Sequence, residues 1–125
     1  MRRLSLAVVG VGFENKRGGP SRRFEVEICR PGEPIELVPE PKNPADPRAI
    51  AVYSTRGIQI GYIRAERAPL VGNALRRGGV KAIFQQSTPW GAVIRVHFDG
   101  SEPTLPQRDE AVELSETYED PTDQA

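Results

Sequence analysis

Pro41, Pro44 and Pro47 stand three residues apart in the run EPKNPADPRAI, with alternating apolar residues on either side. Each proline fixes φ, removes a backbone donor and pushes the preceding residue out of the helical region, so neither a helix nor a central strand can run through this segment. What remains is a stiff, extended connection that displays Lys42, Asn43, Asp46 and Arg48 between strands. Rigid loops on a β scaffold are a common place for binding groups. The residues alone leave two readings open, a binding loop or a proline-stiffened connection.

The flanking sequence predicts strands. Leu4 to Phe13 is β-branched and broken by glycines, as in a buried strand, and Glu14 to Ser21 is a polar loop. Arg23 to Cys29 alternates, with Phe24, Val26 and Ile28 on one face, and predicts a strand that turns at Pro31-Gly32-Glu33 into Ile35 to Val38. Ala49 to Ser54 and Ile58 to Ile63 pair across Thr55-Arg56-Gly57. The spacing of Ala68, Val71, Ala74 and Leu75 predicts a helix over Ala65 to Arg77, with Pro69 in its first turn and Gly78-Gly79 as its stop. Val80 to Gln86 and Ala92 to Phe98 form a last hairpin. About six strands and a helix in a chain of 125 residues predict a mostly β fold, a partly closed antiparallel barrel.

The formal net charge of zero hides a segregation of sign. Residues 1–98 carry sixteen Lys and Arg against eight Asp and Glu, while residues 99–125 carry nine acids and only Arg108. The chain therefore divides into a basic domain, 1–98, and an acidic tail, 99–125, that is too poor in apolar residues to fold and is expected to be disordered. Two roles for the tail are open, a DNA mimic lying in a basic groove or a solubilising extension. The cations are mostly arginine, which suits bidentate contact with phosphate. Cys29 is the only cysteine and His97 the only histidine, which points to a reducing, cytoplasmic setting and against a zinc site or other cofactor. No window approaches the length of a membrane span. The opening MRRLSLAVVGVGF lacks a cleavage pattern and reads as a first strand rather than an export signal.

Catalytic patterns are absent or weak. Gly10-Val-Gly12 is followed by FENKRGGPS, which opens no helix to hold a pyrophosphate, and this argues against a dinucleotide site. Cys29 and His97 lie far apart in sequence, and Glu25, Glu27, Asp46 and Glu66 show no two-metal spacing. Arginines beside aromatics are the stronger signal: Arg22 and Arg23 before Phe24, Arg64 after Tyr62, and Trp90 at a hairpin tip. On a basic body such groups suit single-stranded nucleic acid, whose bases stack while its phosphates pair with arginine.

The segments Glu-Pro-x-Asn-Pro-x-Asp-x-x-Ala-Ile (Glu40 to Ile50) and Gly-x-x-Ile-Gly-Tyr-Ile (Gly57 to Ile63) closely resemble the HIRAN domain, and the resemblance extends from Phe24 to Phe98. It implies an OB-like barrel with one or two flanking helices. It further implies a non-enzymatic module that binds single-stranded DNA at a free 3′ end, used in DNA repair or replication-fork processing. Carried onto this chain, Asp46 accepts a hydrogen bond from the terminal 3′-hydroxyl and Asn43 helps to fix the same nucleotide. Phe24 stacks on a base with Arg23 beside it, Tyr62 contacts base or backbone with Arg64 near a phosphate, and Trp90 falls where the family carries a stacking phenylalanine.

Three positions depart from that pattern. Ala45 replaces an aromatic between Pro44 and Asp46, Glu25 replaces one after Phe24, and Ala65 replaces a cation after Tyr62. Two stacking groups are thereby lost, at a cost of several kcal/mol unless others compensate. The rival readings are a protein-interaction module on the same scaffold and an accessory domain to a DNA translocase, ATPase or nuclease partner. The chain has no phosphate-cradling loop with lysine for hydrolysis of its own.

Overall fold

The computed structural model describes residues 3–16 and 18–106. Six strands close into one antiparallel barrel: β1 (Arg3–Val9), β2 (Pro34–Pro39), β3 (Ile50–Tyr53), β4 (Gln59–Ile63), β5 (Lys81–Thr88) and β6 (Gly91–His97). Around the ring they run β1-β4-β3-β2-β5-β6. Two helices, α1 (Arg22–Ile28) and α2 (Ala68–Arg77), flank them, giving the expected OB-like fold.

Strand β1 makes the closure complete rather than partial. It pairs with β6 from Arg3↔His97 to Val8↔Ala92 and with β4 at Val8↔Ile63 and Val9↔Tyr62. Both neighbours need a glycine where they meet it. A Cβ on Gly61 would lie 2.3 Å from the Val9 carbonyl oxygen, and one on Gly91 would lie 2.3 Å from that of Val8. Inward-facing Leu4, Leu6 and Val8 of β1 pack with Ile50, Val52, Ile60, Phe84 and Ile94 in a single core. Each such side chain contributes about 1.5–3 kcal/mol by leaving water.

Three local readings are corrected. Arg23 to Cys29 is helical, so no hairpin joins it to β2, whose partners are β3 and β5. Ser21 caps α1, its hydroxyl accepting from the Phe24 N–H at 3.0 Å, and Glu25, Val26 and Cys29 turn inward. Strand β1 ends at Val9: Gly10 takes φ +75°, and the Phe13 N–H closes a turn on its carbonyl at 3.2 Å. That turn leaves Phe13 73% exposed instead of buried in a strand. Finally, α2 begins at Ala68, after a turn in which the Arg64 carbonyl accepts from Arg67 and Ala68.

Beyond β6 the chain stays attached to the barrel. Asp99 pairs with Arg3 at 3.5 Å, the Gly100 N–H donates to the Gly79 carbonyl at 2.9 Å, and Lys81 pairs with Glu102. The expectations for the rest of the acidic segment fall on residues 107–125, outside the described part of the chain.

Candidate functional site

The proline loop is held by its own polar side chains. At its base the Glu40 N–H donates to the Ala49 carbonyl at 2.9 Å. Asn43 Oδ1 accepts from the N–H groups of Ala45 (2.8 Å) and Asp46 (3.2 Å), and Asp46 Oδ1 accepts from the Arg48 N–H at 2.8 Å. These side chains imitate backbone turns, which is why Asn and Asp precede stiff prolines here. The amide Nδ2 of Asn43 donates to Glu40 Oε1 at 2.9 Å, and the same oxygen accepts from the Tyr62 hydroxyl at 2.8 Å. Glu40 thus ties the loop to β4.

Beside this junction lies an open cleft of about 750 Å³, walled by the loop, Tyr62, the β3–β4 turn and the connection from β1 to α1. Lys16 and Lys42 stand exposed on its lining and Arg22 is buried in its wall. The Arg22 guanidinium sits 5.6 Å from the centroid of the Tyr62 ring and donates to Asn15 Oδ1 (2.7 Å) and to the Gly10 carbonyl (2.8 Å). Around Gly10, atoms of Arg22, Phe13 and Tyr62 converge within 3.6–3.9 Å of where a Cβ would stand. The exposed ring of Phe13 thus comes close to Gly10 on the side of Arg22 and Tyr62, but is not part of the cleft lining.

Helix α1 is fixed in place by ion pairs. Arg56, in the β3–β4 turn, binds the buried Glu25 at 2.6 Å and Glu33 at 3.1 Å, and its Nη2 lies 3.5 Å from Cys29 Sγ. Glu25 is thus a helix-anchoring carboxylate. Burial pushes the Cys29 thiol up to about 11, with Arg56 pulling the other way. Cys29 in the folded chain should therefore alkylate on the order of 100-fold more slowly at mildly alkaline pH than in urea, as mass spectrometry of iodoacetamide adducts can measure. Among the described residues no group of three or more His, Cys, Asp or Glu is placed to hold a metal.

The sequence-derived site residues fall in three places. Asn43 on the proline loop and Tyr62 on β4 line the cleft, whereas Asp46, half-buried three residues after Asn43, is not on its lining and has its Oδ2 in none of the loop's hydrogen bonds. Arg23, Phe24 and Trp90 lie at α1 and the β5–β6 turn. Arg23 bonds Glu27 (3.0 Å) and the carbonyls of Thr88 (3.1 Å) and Pro89 (3.4 Å), Phe24 is 56% exposed, and Trp90 is half-buried. Arg64 directly follows β4 and pairs with Glu66 at 3.3 Å. Sequence reasoning missed Phe13, Glu40 and Asn15, and of the arginine pair it chose Arg23 where Arg22 faces the cleft. The Gly-x-Gly before Phe13 was the available signal, since it marks a strand end that exposes the next aromatic.

The sequence profile of the HIRAN domain matches residues 3–92. The chain belongs to the HIRAN domain family. Its fold is similar to the crystal structure of the HIRAN domain of human HLTF, with a TM-score of 0.61 and 17% identity, covering 93% of this chain and 85% of that one. It is also similar to the crystal structure of a protein from Lactobacillus plantarum, with a TM-score of 0.59 and 17% identity, covering 76% and 91%. No curated protein matches the chain. HIRAN domains are nucleic-acid-binding modules with no known catalytic activity by themselves. No helix among the described residues is long and apolar enough to cross a membrane.

Proposed function

We propose that this HIRAN domain binds single-stranded DNA at a free 3′-hydroxyl end, with the terminal nucleotide in the cleft beside the proline loop. The observation that carries the reading is that Tyr62, Arg22 and Asn43 line one cleft, with the exposed ring of Phe13 close to Gly10 beside Arg22 and Tyr62, and Asp46 on the same proline loop as Asn43. Asp46 Oδ2 accepts from the terminal hydroxyl, while its charge repels a 3′-phosphate. Phe13 supplies stacking that Ala45 and Glu25 do not. Phe24, Trp90 and the cations Arg23 and Arg64 extend the surface for the following nucleotides. Such a module serves DNA repair or fork processing, delivering a strand end to a DNA translocase or nuclease.

Fluorescence anisotropy at low salt with a 3′-hydroxyl strand, a 3′-phosphate strand and a circle tests this. Preference for the hydroxyl strand is expected, with affinity falling steeply as salt rises and the preference lost in Asp46→Asn. Equal binding of all three would reduce the surface to a generic electrostatic one. A second reading, a protein-docking module, draws on Phe24 and Ile28, exposed 56% and 41% one turn apart on α1. It predicts no binding of any strand.

A further inference from the structure

Where the chain leaves β6 it is strapped to the barrel residue by residue. Asp99 pairs with Arg3 of β1 at 3.5 Å, and the Gly100 N–H donates to the Gly79 carbonyl at 2.9 Å. Ser101 Oγ lies 2.9 Å from Nδ1 of the buried His97, and Glu102 pairs with Lys81 of β5. Ser101 also orients Asp99, its hydroxyl and its N–H both donating to Asp99 Oδ1. Two acids of the strap are thus seated on cations of two strands. The strap meets the first residue of β1, one strand length, roughly 20 Å, from the Gly10 turn at the cleft end of the barrel.

Further cations stand beside the strap without acidic partners. Helix α2 contains no acid and ends in Arg76 and Arg77, both exposed, and Gly79, which the strap bonds, follows two residues on. A basic last turn ordinarily offsets the negative end of the helix dipole. Arg76 does not serve that end: its guanidinium turns back along the helix, donating to Asn73 Oδ1 and standing 3.9 Å from where a Cβ on Gly72 would lie. The carbonyls of Ala74 and Leu75 accept from the Gly78 N–H instead. Among the described residues neither arginine pairs with a carboxylate. The end of α2 is therefore a positive edge next to the point where the chain departs.

What departs there is anionic: residues 107–125 carry seven Asp and Glu against one arginine. We propose that the edge formed by Arg76 and Arg77 is a docking surface for this acidic segment of the same chain, with the strap from Asp99 to Glu102 setting where the segment begins. The strap has already placed two acids on neighbouring cations, and the edge continues that pattern. Tethering makes the contact intramolecular, at an effective concentration on the order of millimolar, so pairs too weak to hold a free peptide are populated. Lys16 and Lys42 carry the same charge but line the cleft, at the other end of β1. The segment thus neutralises the end of α2 and leaves the cleft open.

The test compares NMR spectra of the full chain with those of a chain of equal length whose seven acids after residue 106 are changed to Asn and Gln. The amide signals of Arg76 to Gly79 should differ between the two at about 10 mM salt and coincide at about 1 M, where the Debye length has shrunk to about 3 Å. Arg76→Gln with Arg77→Gln, both exposed positions, should abolish the difference at Gly78 and Gly79. Should that double variant fail to fold, Arg77→Gln alone should reduce it. Spectra that agree at α2 at low salt overturn the proposal. So does a difference centred on Lys16 and Lys42, which would make the segment an occupant of the cleft. A short DNA duplex, added as a competing polyanion, should shift the Arg76 and Arg77 signals further in the neutralised chain than in the full chain. Equal shifts in both would make the edge a nucleic-acid surface and overturn the assignment to the segment.

Discussion

Arg56→Ala lowers the unfolding free energy by about 2–3 kcal/mol, less than the ~3–5 kcal/mol of a fully buried pair because water screens part of the guanidinium. The Arg56 side chain is 37% exposed, but its partner Glu25 is 2% exposed and is left buried without a cation when Arg56 is removed. Glu33 loses the same partner, whose hydrogen bond is the main reason that its carboxyl titrates below the usual range. A carboxyl depressed in the folded state stabilises above its unfolded pKa, and the contribution vanishes as pH falls through the folded value. The variant should therefore show a shallower loss of stability on the acid side. Urea melts across a pH series measure both effects, and Glu25→Gln in the Arg56→Ala background should recover part of the loss. A change under about 0.5 kcal/mol, the range of ordinary surface substitutions, would show that Glu25 finds another partner.

Phe13→Ala weakens binding of a 3′-hydroxyl strand on the order of 10- to 100-fold and leaves the melting temperature unchanged. The two outcomes separate because the ring is 73% exposed and contributes little to the core. Stacking on a base is worth about 1–3 kcal/mol, and here Phe13 supplies area next to Tyr62 that the loop, with Ala45, does not. Phe24→Ala should cost less, because Phe24 stands on α1 and is not among the groups that approach Gly10 beside Arg22 and Tyr62. Anisotropy titrations of the two variants decide the order. If Phe24→Ala has the larger effect, the strand runs across α1 and the β5–β6 turn instead of into the cleft.

Legibility in the sequence followed the range of the interactions. The proline loop was readable because its restraints are local: fixed φ angles, and Asn and Asp side chains that bond two or three residues ahead. The β3–β4 pair and α2 were readable from spacing and a tight turn. Helix α1 was misread because Phe24, Val26 and Ile28 alternate like a strand, while the fact that decides for a helix is distant. Glu25 is buried only because Arg56, thirty-one residues on, meets it. The cleft was half readable. Asn43 and Tyr62 lie in the segments that carry the family resemblance, whereas Arg22 reaches it from a helix that periodicity hid, and Phe13 comes near Arg22 and Tyr62 only through the turn at Gly10.

The pairing of β1 has a consequence for how the chain comes to be folded. Both of its neighbours follow it, β6 ninety residues later, so the first strand synthesised is the last to find its full set of hydrogen bonds. A topology dominated by such distant pairings has high contact order and folds on the scale of milliseconds to seconds rather than microseconds. Until β6 emerges, β1 and β5 each lack a neighbour and present open edges that other chains can join. A nascent or truncated chain that stops before β6 is therefore an aggregation hazard, not a smaller working domain.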